Sequence, residues 1–145
     1  MKINKLVEQE ILQALKLVWT VFLEFEAPDY SEQGVQTFKN YIADKTIMSK
    51  LEFYGAFVDD ELLGIIAMRN KSHIIMLFTK KEYHRKGIAK ALFNYVLGIT
   101  DSKIITVNSS PYAVEIYHKL GFINTENEKE IDGIKFTPMW YQLWA

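Results

Sequence analysis

EYHRKGIAKALF, residues 82–93, sets His84, Arg85 and Lys86 directly before Gly87, and Gly87 directly before a run with helical spacing. Three cation-capable side chains crowd the end of a helix where the macrodipole already carries positive partial charge. Such an end invites a negative partner. HIIMLFT (73–79) ahead of it reads as an almost wholly apolar, central strand, and Ile88, Leu92 and Val96, flanked by Ala89 and Phe93, mark the helix. The unit is therefore strand, glycine-punctuated turn, helix. Its unpaired backbone N–H groups, together with the dipole, make an anion site whose usual occupant is phosphate. Gly87 lets a ligand reach the backbone without a Cβ in the way, and Arg85 and Lys86 add side-chain charge. Read alone, the stretch is equally a solvated basic rim around a turn. Neither G-x-x-x-x-G-K-[ST] nor a G-x-G-x-x-G after a strand occurs in it.

Outward from this unit the elements alternate in a definite order. KINKLV (2–7) reads as a short strand, and residues 8–25 carry Ile11, Leu15, Val18 and Phe22 at helical spacing until Pro28 stops them. Ser31 is the expected N-cap of a second helix running to about Ile42, with Val35, Phe38 and Ile42 as its stripe. Residues 51–70 read as two strands around Asp59-Asp60-Glu61, and KIITVN (103–108) as a β-branched strand. In SSPYAVEIYHKLGF the pattern predicts a helix with Ser110 as N-cap, Pro111 at its first position and Gly121 closing it. The tail EKEIDGIKFTPMWYQLW is a hairpin candidate with Asp132-Gly133 in a type I′ turn. The sum is an α+β fold (mixed α/β): a central mixed, largely antiparallel sheet with helices on both faces.

The 145 residues, 49% hydrophobic and 24% charged, suit one domain spanning 1–145. Seventeen Lys and Arg against 18 Asp and Glu leave a formal charge of -1, so no global field recruits nucleic acid or an anionic membrane. Neither partner is expected. Cysteine is absent, which removes disulfides, thiolate metal sites and any thiol nucleophile. His73, His84 and His118 lack metal-ligand spacing, so no catalytic metal is expected. The longest apolar stretch, from Ile11, is too short to span a bilayer, no leader pattern opens the chain, and a cytoplasmic location is expected.

The second half of the chain gives the basic turn its context. LFTKKEYHRKGIAKALF followed by VNSSPYAVEIYHKLGF resembles the GNAT superfamily of acyl-CoA-dependent N-acyltransferases. The likeness lies in its pyrophosphate motif Q/R-x-x-G-x-G/A and its later Asn…Tyr-x-x-x-Gly-Phe segment, and the order of elements agrees over essentially the whole chain. His84 stands where the family usually carries Gln or Arg, and Ala89 replaces the second glycine.

The resemblance implies that acetyl-CoA, as co-substrate, lies in a gap where the sheet is splayed between the strands at 73–79 and 103–108. Its pantetheine arm would pair with the backbone near Leu77, Phe78 and Thr79. Its pyrophosphate would meet His84, Arg85, Lys86, Gly87, Ile88, Ala89 and Lys90, and Asn108 would contact the arm from the second strand. An amine then attacks the thioester directly in a ternary complex, and Tyr117 protonates the departing thiolate, its ordinary pKa of about 10 being close to a thiol's. Outside that motif a tyrosine on a helical stripe is a core residue whose hydroxyl finds a carbonyl. The resemblance also places Glu24, Glu26, Asp29 and Tyr30 beside the acceptor, a small-molecule or peptide amine. No residue announces itself as the base. A non-catalytic acyl-CoA-binding sensor or interaction module of the same fold is the alternative. The chain is expected to be a monomer or homodimer, its C-terminal MWYQLW completing the sheet internally or pairing with a second copy.

Overall fold

A computed structural model describes residues 1–143. Strand β1 (Lys2–Lys5) leads into helix α1 (Glu8–Phe25), a 3-10 turn at Ala27–Asp29 that contains Pro28, and helix α2 (Glu32–Ala43). Ser31 caps α2 by accepting from the Gly34 amide at 3.2 Å. A five-residue helix that the sequence reading missed, α3 (Lys45–Ser49), follows, with Asp44 accepting from the Ile47 amide at 3.0 Å. A three-strand meander comes next, β2 (Glu52–Val58), β3 (Glu61–Arg69) and β4 (His73–Thr79). Asp59 and Asp60 close its first turn with φ 48° and 68°, the left-handed pair that a two-residue hairpin of this twist requires.

Helix α4 (Ile88–Ile99), β5 (Ile104–Ser109) and α5 (Val114–Leu120) carry the patterned second half. Helix α5 starts later than expected. The Ala113 amide bonds back to the Ser110 carbonyl at 3.1 Å and its Oγ at 3.3 Å, so Ser110 and Pro111 form a separate turn and Ala113 is the cap. Gly121, at φ 109°, ends the helix as expected. The chain closes with β6 (Ile123–Asn124), β7 (Lys129–Ile131) and β8 (Ile134–Gln142). Asp132 (φ 53°) and Gly133 (φ 80°) form the tight turn between β7 and β8.

The strand order is β1-β2-β3-β4-β5-β8-β6, with β7 paired to β8 alone. Every pairing is antiparallel except β4 with β5. Of MWYQLW, the part up to Gln142 lies in β8 between β5 and β6, so it completes the sheet internally; Trp144 falls outside the described residues. Helices α1 to α3 cover one face through Val18, Phe22 and Met48 packed on Phe53, Ile65 and Met76. Helices α4 and α5 cover the other through Leu92, Phe93 and Tyr117 on Ile66, Ile105 and Met139. In α1 the buried centre falls on Ala14, Leu17, Val18, Val21 and Phe22, with Ile11 and Leu15 at its margin. Among the described residues no helix is long and apolar enough to cross a membrane.

One interruption in the sheet positions everything that follows. Strand β4 pairs with β5 only at His73↔Thr106 and Ile74↔Val107, and beyond Ile74 the two strands part. On its other edge β4 shifts register against β3 at Ile75, where Ala67↔Met76 gives way to Met68↔Ile74. A bulge bends the strand that carries it and raises its local twist. The parting therefore begins at the bend.

Candidate active site

The Lys80 amide donates to the Leu63 carbonyl at 2.8 Å, which fixes the phase of β4. By the alternation of an antiparallel ladder, Phe78 and Met76 then turn their backbone groups toward β3, while Leu77 and Thr79 turn theirs toward the open side. The Thr79 carbonyl is taken by His84, whose Nε2 lies 2.9 Å away and must donate, since a carbonyl only accepts. Leu77 is left with both backbone groups facing the gap, the edge an extended amide-bearing chain can join. Phe78 is buried against α1 and serves packing, and Thr79 anchors the next loop.

That loop presents a row of amides. Arg85 (φ 64°) and Gly87 (φ 83°) are both left-handed, a sequence of turns that makes a concave nest of N–H groups. Among the described residues the amides of Arg85, Gly87, Ile88, Ala89 and Lys90 meet no acceptor. A Cβ built on Gly87 meets nothing within 4 Å, so the ground in front of the helix end is open. Arg85, Lys86 and Lys90 are exposed around it. His84 belongs to the frame of this loop: besides its bond to Thr79, its ring lies 4.8 Å from Phe25, which also touches Tyr112 at 5.2 Å. The imidazole thus ties the loop to the end of α1. A strand edge open at Leu77 and an amide nest behind it fit the two polar parts of a CoA, its pantetheine amides and its pyrophosphate.

A cavity of about 280 Å³ opens where β4 and β5 part. Tyr117 and Asn108 reach it from one side, Glu26 and Tyr30 from the other, and Leu77 from the strand. Tyr117 is 4% exposed, with its ring edge-on to Phe122 at 5.2 Å. Among the described residues its hydroxyl has no hydrogen-bond partner and is not among the fully enclosed polar atoms, as befits a group that lines the cavity. Burial pushes its pKa up, and the nearby Glu26 carboxylate adds to the push, so the ordinary value of about 10 assumed from sequence does not hold in the free cleft.

The four acceptor-side residues separate. Glu26 and Tyr30 line the cavity, Asp29 sits exposed on the 3-10 turn, and Glu24 pairs with Lys81 at 3.2 Å on the outer side of α1. Glu24 faces a different groove, about 430 Å³, that contains neither Tyr117 nor the parted strands. Burial raises the Glu26 pKa to about 7; a side-chain hydrogen bond from Ser110 pulls it down and Asp29 raises it. Sequence reasoning took Ser110 for a helix cap and did not see it as a partner of Glu26. It also missed Tyr41, Ile134 and Phe136, which line the cavity too.

Residues 26–143 match the family model described as the acetyltransferase (GNAT) domain, and the chain belongs to that family of acyltransferases. It is 28% identical over 112 residues to the spermidine N(1)-acetyltransferase of Thermoplasma acidophilum, covering 64% of this chain and 70% of that one. Among solved structures, a GCN5-related N-acetyltransferase from Rhodopseudomonas palustris superposes with a TM-score of 0.85 at 19% identity, covering 98% of this chain and 95% of that one. The PaiA N-acetyltransferase of T. acidophilum in complex with coenzyme A gives 0.70 at 23%, covering 97% and 98%.

Proposed function

We propose that the protein transfers an acetyl group from acetyl-CoA to a primary amine in a ternary complex, with Glu26 as base and Tyr117 as acid. The observation that carries this reading is that the Glu26 carboxyl, its pKa raised to about 7, and the Tyr117 side chain line one cavity at the parting of β4 and β5. Acetyl-CoA supplies the activated acetyl thioester. The T. acidophilum relative, named for spermidine, and the coenzyme A in the PaiA complex support an amine acceptor and this co-substrate.

The residues divide the work. The amides of Arg85, Gly87, Ile88, Ala89 and Lys90 hold the pyrophosphate and the Leu77 backbone aligns the pantetheine arm, with Asn108 beside it. Glu26, ionised above about pH 7, takes the proton that the amine nitrogen loses as the N–C bond forms and the C–S bond breaks. Tyr117 gives its proton to the sulfur. Once Glu26 is protonated its negative charge no longer opposes Tyr117 ionisation, so the first transfer lowers the barrier to the second. Water then carries the proton from Glu26 back to Tyr117. With no cysteine in the chain, no thiol acetyl-enzyme enters.

Calorimetric titration of acetyl-CoA and CoA into the wild type and Gly87→Glu tests the co-substrate site. Micromolar binding lost in the variant supports it, and no binding to the wild type sinks it. An amine panel with Tyr117→Phe as control follows; binding without transfer to any amine would leave an acyl-CoA sensor.

A further inference from the structure

Helix α1 ends on two adjacent residues that face different hollows. Phe25 lines the outer groove beside Glu24, and Glu26 lines the cleft. The Glu26 amide donates to the Phe22 carbonyl at 2.9 Å, so its carboxyl is carried by the last turn of the helix. The ring of Phe25 holds that turn from two sides. It lies 4.8 Å from the His84 ring, in the loop after β4, and 5.2 Å from the Tyr112 ring, in the turn after β5. Both spacings are those of aromatic pairs in contact.

These contacts lie where the sheet is open. Among the described residues, no hydrogen bond or ion pair joins residues 75–90 on the β4 side to residues 108–113 on the β5 side. The rings of His84, Phe25 and Tyr112 span that gap in a row. We propose that Phe25 is a positioning residue: wedged between the two parted sides, it sets where the Glu26 carboxyl stands in the cleft and ties that place to the loop bearing the amide nest. The inference rests on the reading of Glu26 as base and adds a residue that acts through it.

The two rings that grip Phe25 belong to the site on either side. Tyr112 shares a turn with Ser110, whose hydroxyl bonds the Glu26 carboxyl, so α1 leans on that turn through both of its last side chains. His84 donates from Nε2 to the Thr79 carbonyl whether or not its other nitrogen is protonated, so the loop keeps its frame across the working pH range. Removing the Phe25 ring has a definite sign. Burial is the main cause that raises the Glu26 pKa to about 7. Without the ring the outer groove opens toward the carboxyl, solvent reaches it and its pKa falls. Asp29, which also raises it, stays in place on the 3-10 turn. Burial first and Glu26 second hold the hydroxyls of Tyr30, Tyr112 and Tyr117 above the usual phenol range, so none of them ionises near pH 7.

The test is a double-mutant cycle on kcat/KM, read across the pH range around neutrality with saturating acetyl-CoA and hexylamine or the fastest amine of the panel. Phe25→Ala is expected to lower the plateau by about tenfold or more, mostly in kcat, and to move the rising limb lower by roughly half a pH unit or more. Phe25→Tyr keeps the ring and is expected to stay within about threefold of the wild type with its limb in place. In a Glu26→Gln background the Phe25→Ala change is expected to cost less than about threefold, because the group it positions is gone. An equal loss in both backgrounds, with the limb unmoved, would reduce Phe25 to packing and overturn the inference while leaving Glu26 as base. Wild-type rates in Glu26→Gln alone would remove the base reading, and this inference with it. Tyr112→Ala, at an exposed side chain, serves if Phe25→Ala does not fold: it removes one of the two flanking rings, and its limb is expected to move the same way by a smaller amount. An unmoved limb there overturns the inference as well.

Discussion

Glu26, Glu24 and Asp29 are three acids within six positions, and nothing in their spacing ranks them. The fold ranks them, by turning Glu24 out to Lys81, leaving Asp29 in water and enclosing Glu26 beside Ser110 and Tyr117. That Tyr117 would line the cavity was legible because it belongs to a spaced motif; the enclosure of Glu26 was not, because its singularity is one of environment. If Glu26 is the base, Glu26→Gln lowers kcat/KM by about 10²- to 10⁴-fold at pH 8 and abolishes the rise in rate through pH 7. Retention of that rise in the variant would assign it to another group. Stability moves the opposite way. A carboxyl whose pKa is raised from 4.5 to about 7 on folding binds more protons in the native state, so stability falls as pH rises from about 4.5 to about 7. Glu26→Gln removes that loss, and thermal melting at pH 8 should show the variant more stable by about 2 kcal/mol, reduced from the full value because part of the residue is open to water. The Ser110 hydrogen bond favours the ionised carboxyl, so Ser110→Ala should move the rate limb to higher pH with little change in acetyl-CoA affinity. An unmoved pH profile would reduce Ser110 to its turn.

Between the elements, the glycines mark where two pieces must meet or a ligand must enter. Gly87 has open space before it, so a side chain there meets no protein, only the strain of a left-handed φ, about 1 kcal/mol. Gly87→Ala should therefore nearly preserve affinity for acetyl-CoA, whereas Gly87→Glu, which sets a carboxylate among the amides, should lower it at least tenfold in calorimetry. Equal affinities would move the pyrophosphate elsewhere. Gly34 is the opposite case, its Cβ position already filled by Gly133 backbone. Gly34→Ala should cost about 2–3 kcal/mol in chemical denaturation and raise the acceptor KM, because α2 and the hairpin share the cavity wall, while acetyl-CoA binds as before. A variant with unchanged amine KM would mean that the hairpin does not shape the acceptor site. The seating itself was illegible from sequence. Asp132-Gly133 announced a hairpin turn, and Ser31 a cap, yet nothing in either says that they touch. The short α3 escaped because five residues give no periodicity to read, and Ser110-Pro111 misled because a cap-and-proline signature also suits an isolated turn.

Across the whole molecule, the order of strands and helices could be read from the chain because each long element carries its own period and a stop signal. The interruption of the sheet could not: it depends on a register shift at Ile75 between two strands whose residues look alike. Its consequence is that the sheet is whole except along one side of β4, where Leu77 offers backbone groups to no strand. If the proposed pantetheine arm lies there, it completes the ladder and joins the half built on β1 to β4 with the half built on β5 and β8. On the proposed reading the amine has no such structural part and would enter against walls that the cofactor has helped to fix. Ligand that binds only the folded chain stabilises it by about 2.7 kcal/mol at a hundredfold excess over Kd, which for a chain of this size raises Tm by roughly 5–10 °C. Acetyl-CoA and CoA are each expected to give a shift of that size, hexylamine alone almost none, and hexylamine with CoA more than CoA by itself. That ordering is what a ternary complex assembled on the cofactor requires. A comparable shift from the amine alone would mean that the acceptor site is complete without the cofactor, and that the parted strands are not what organises it.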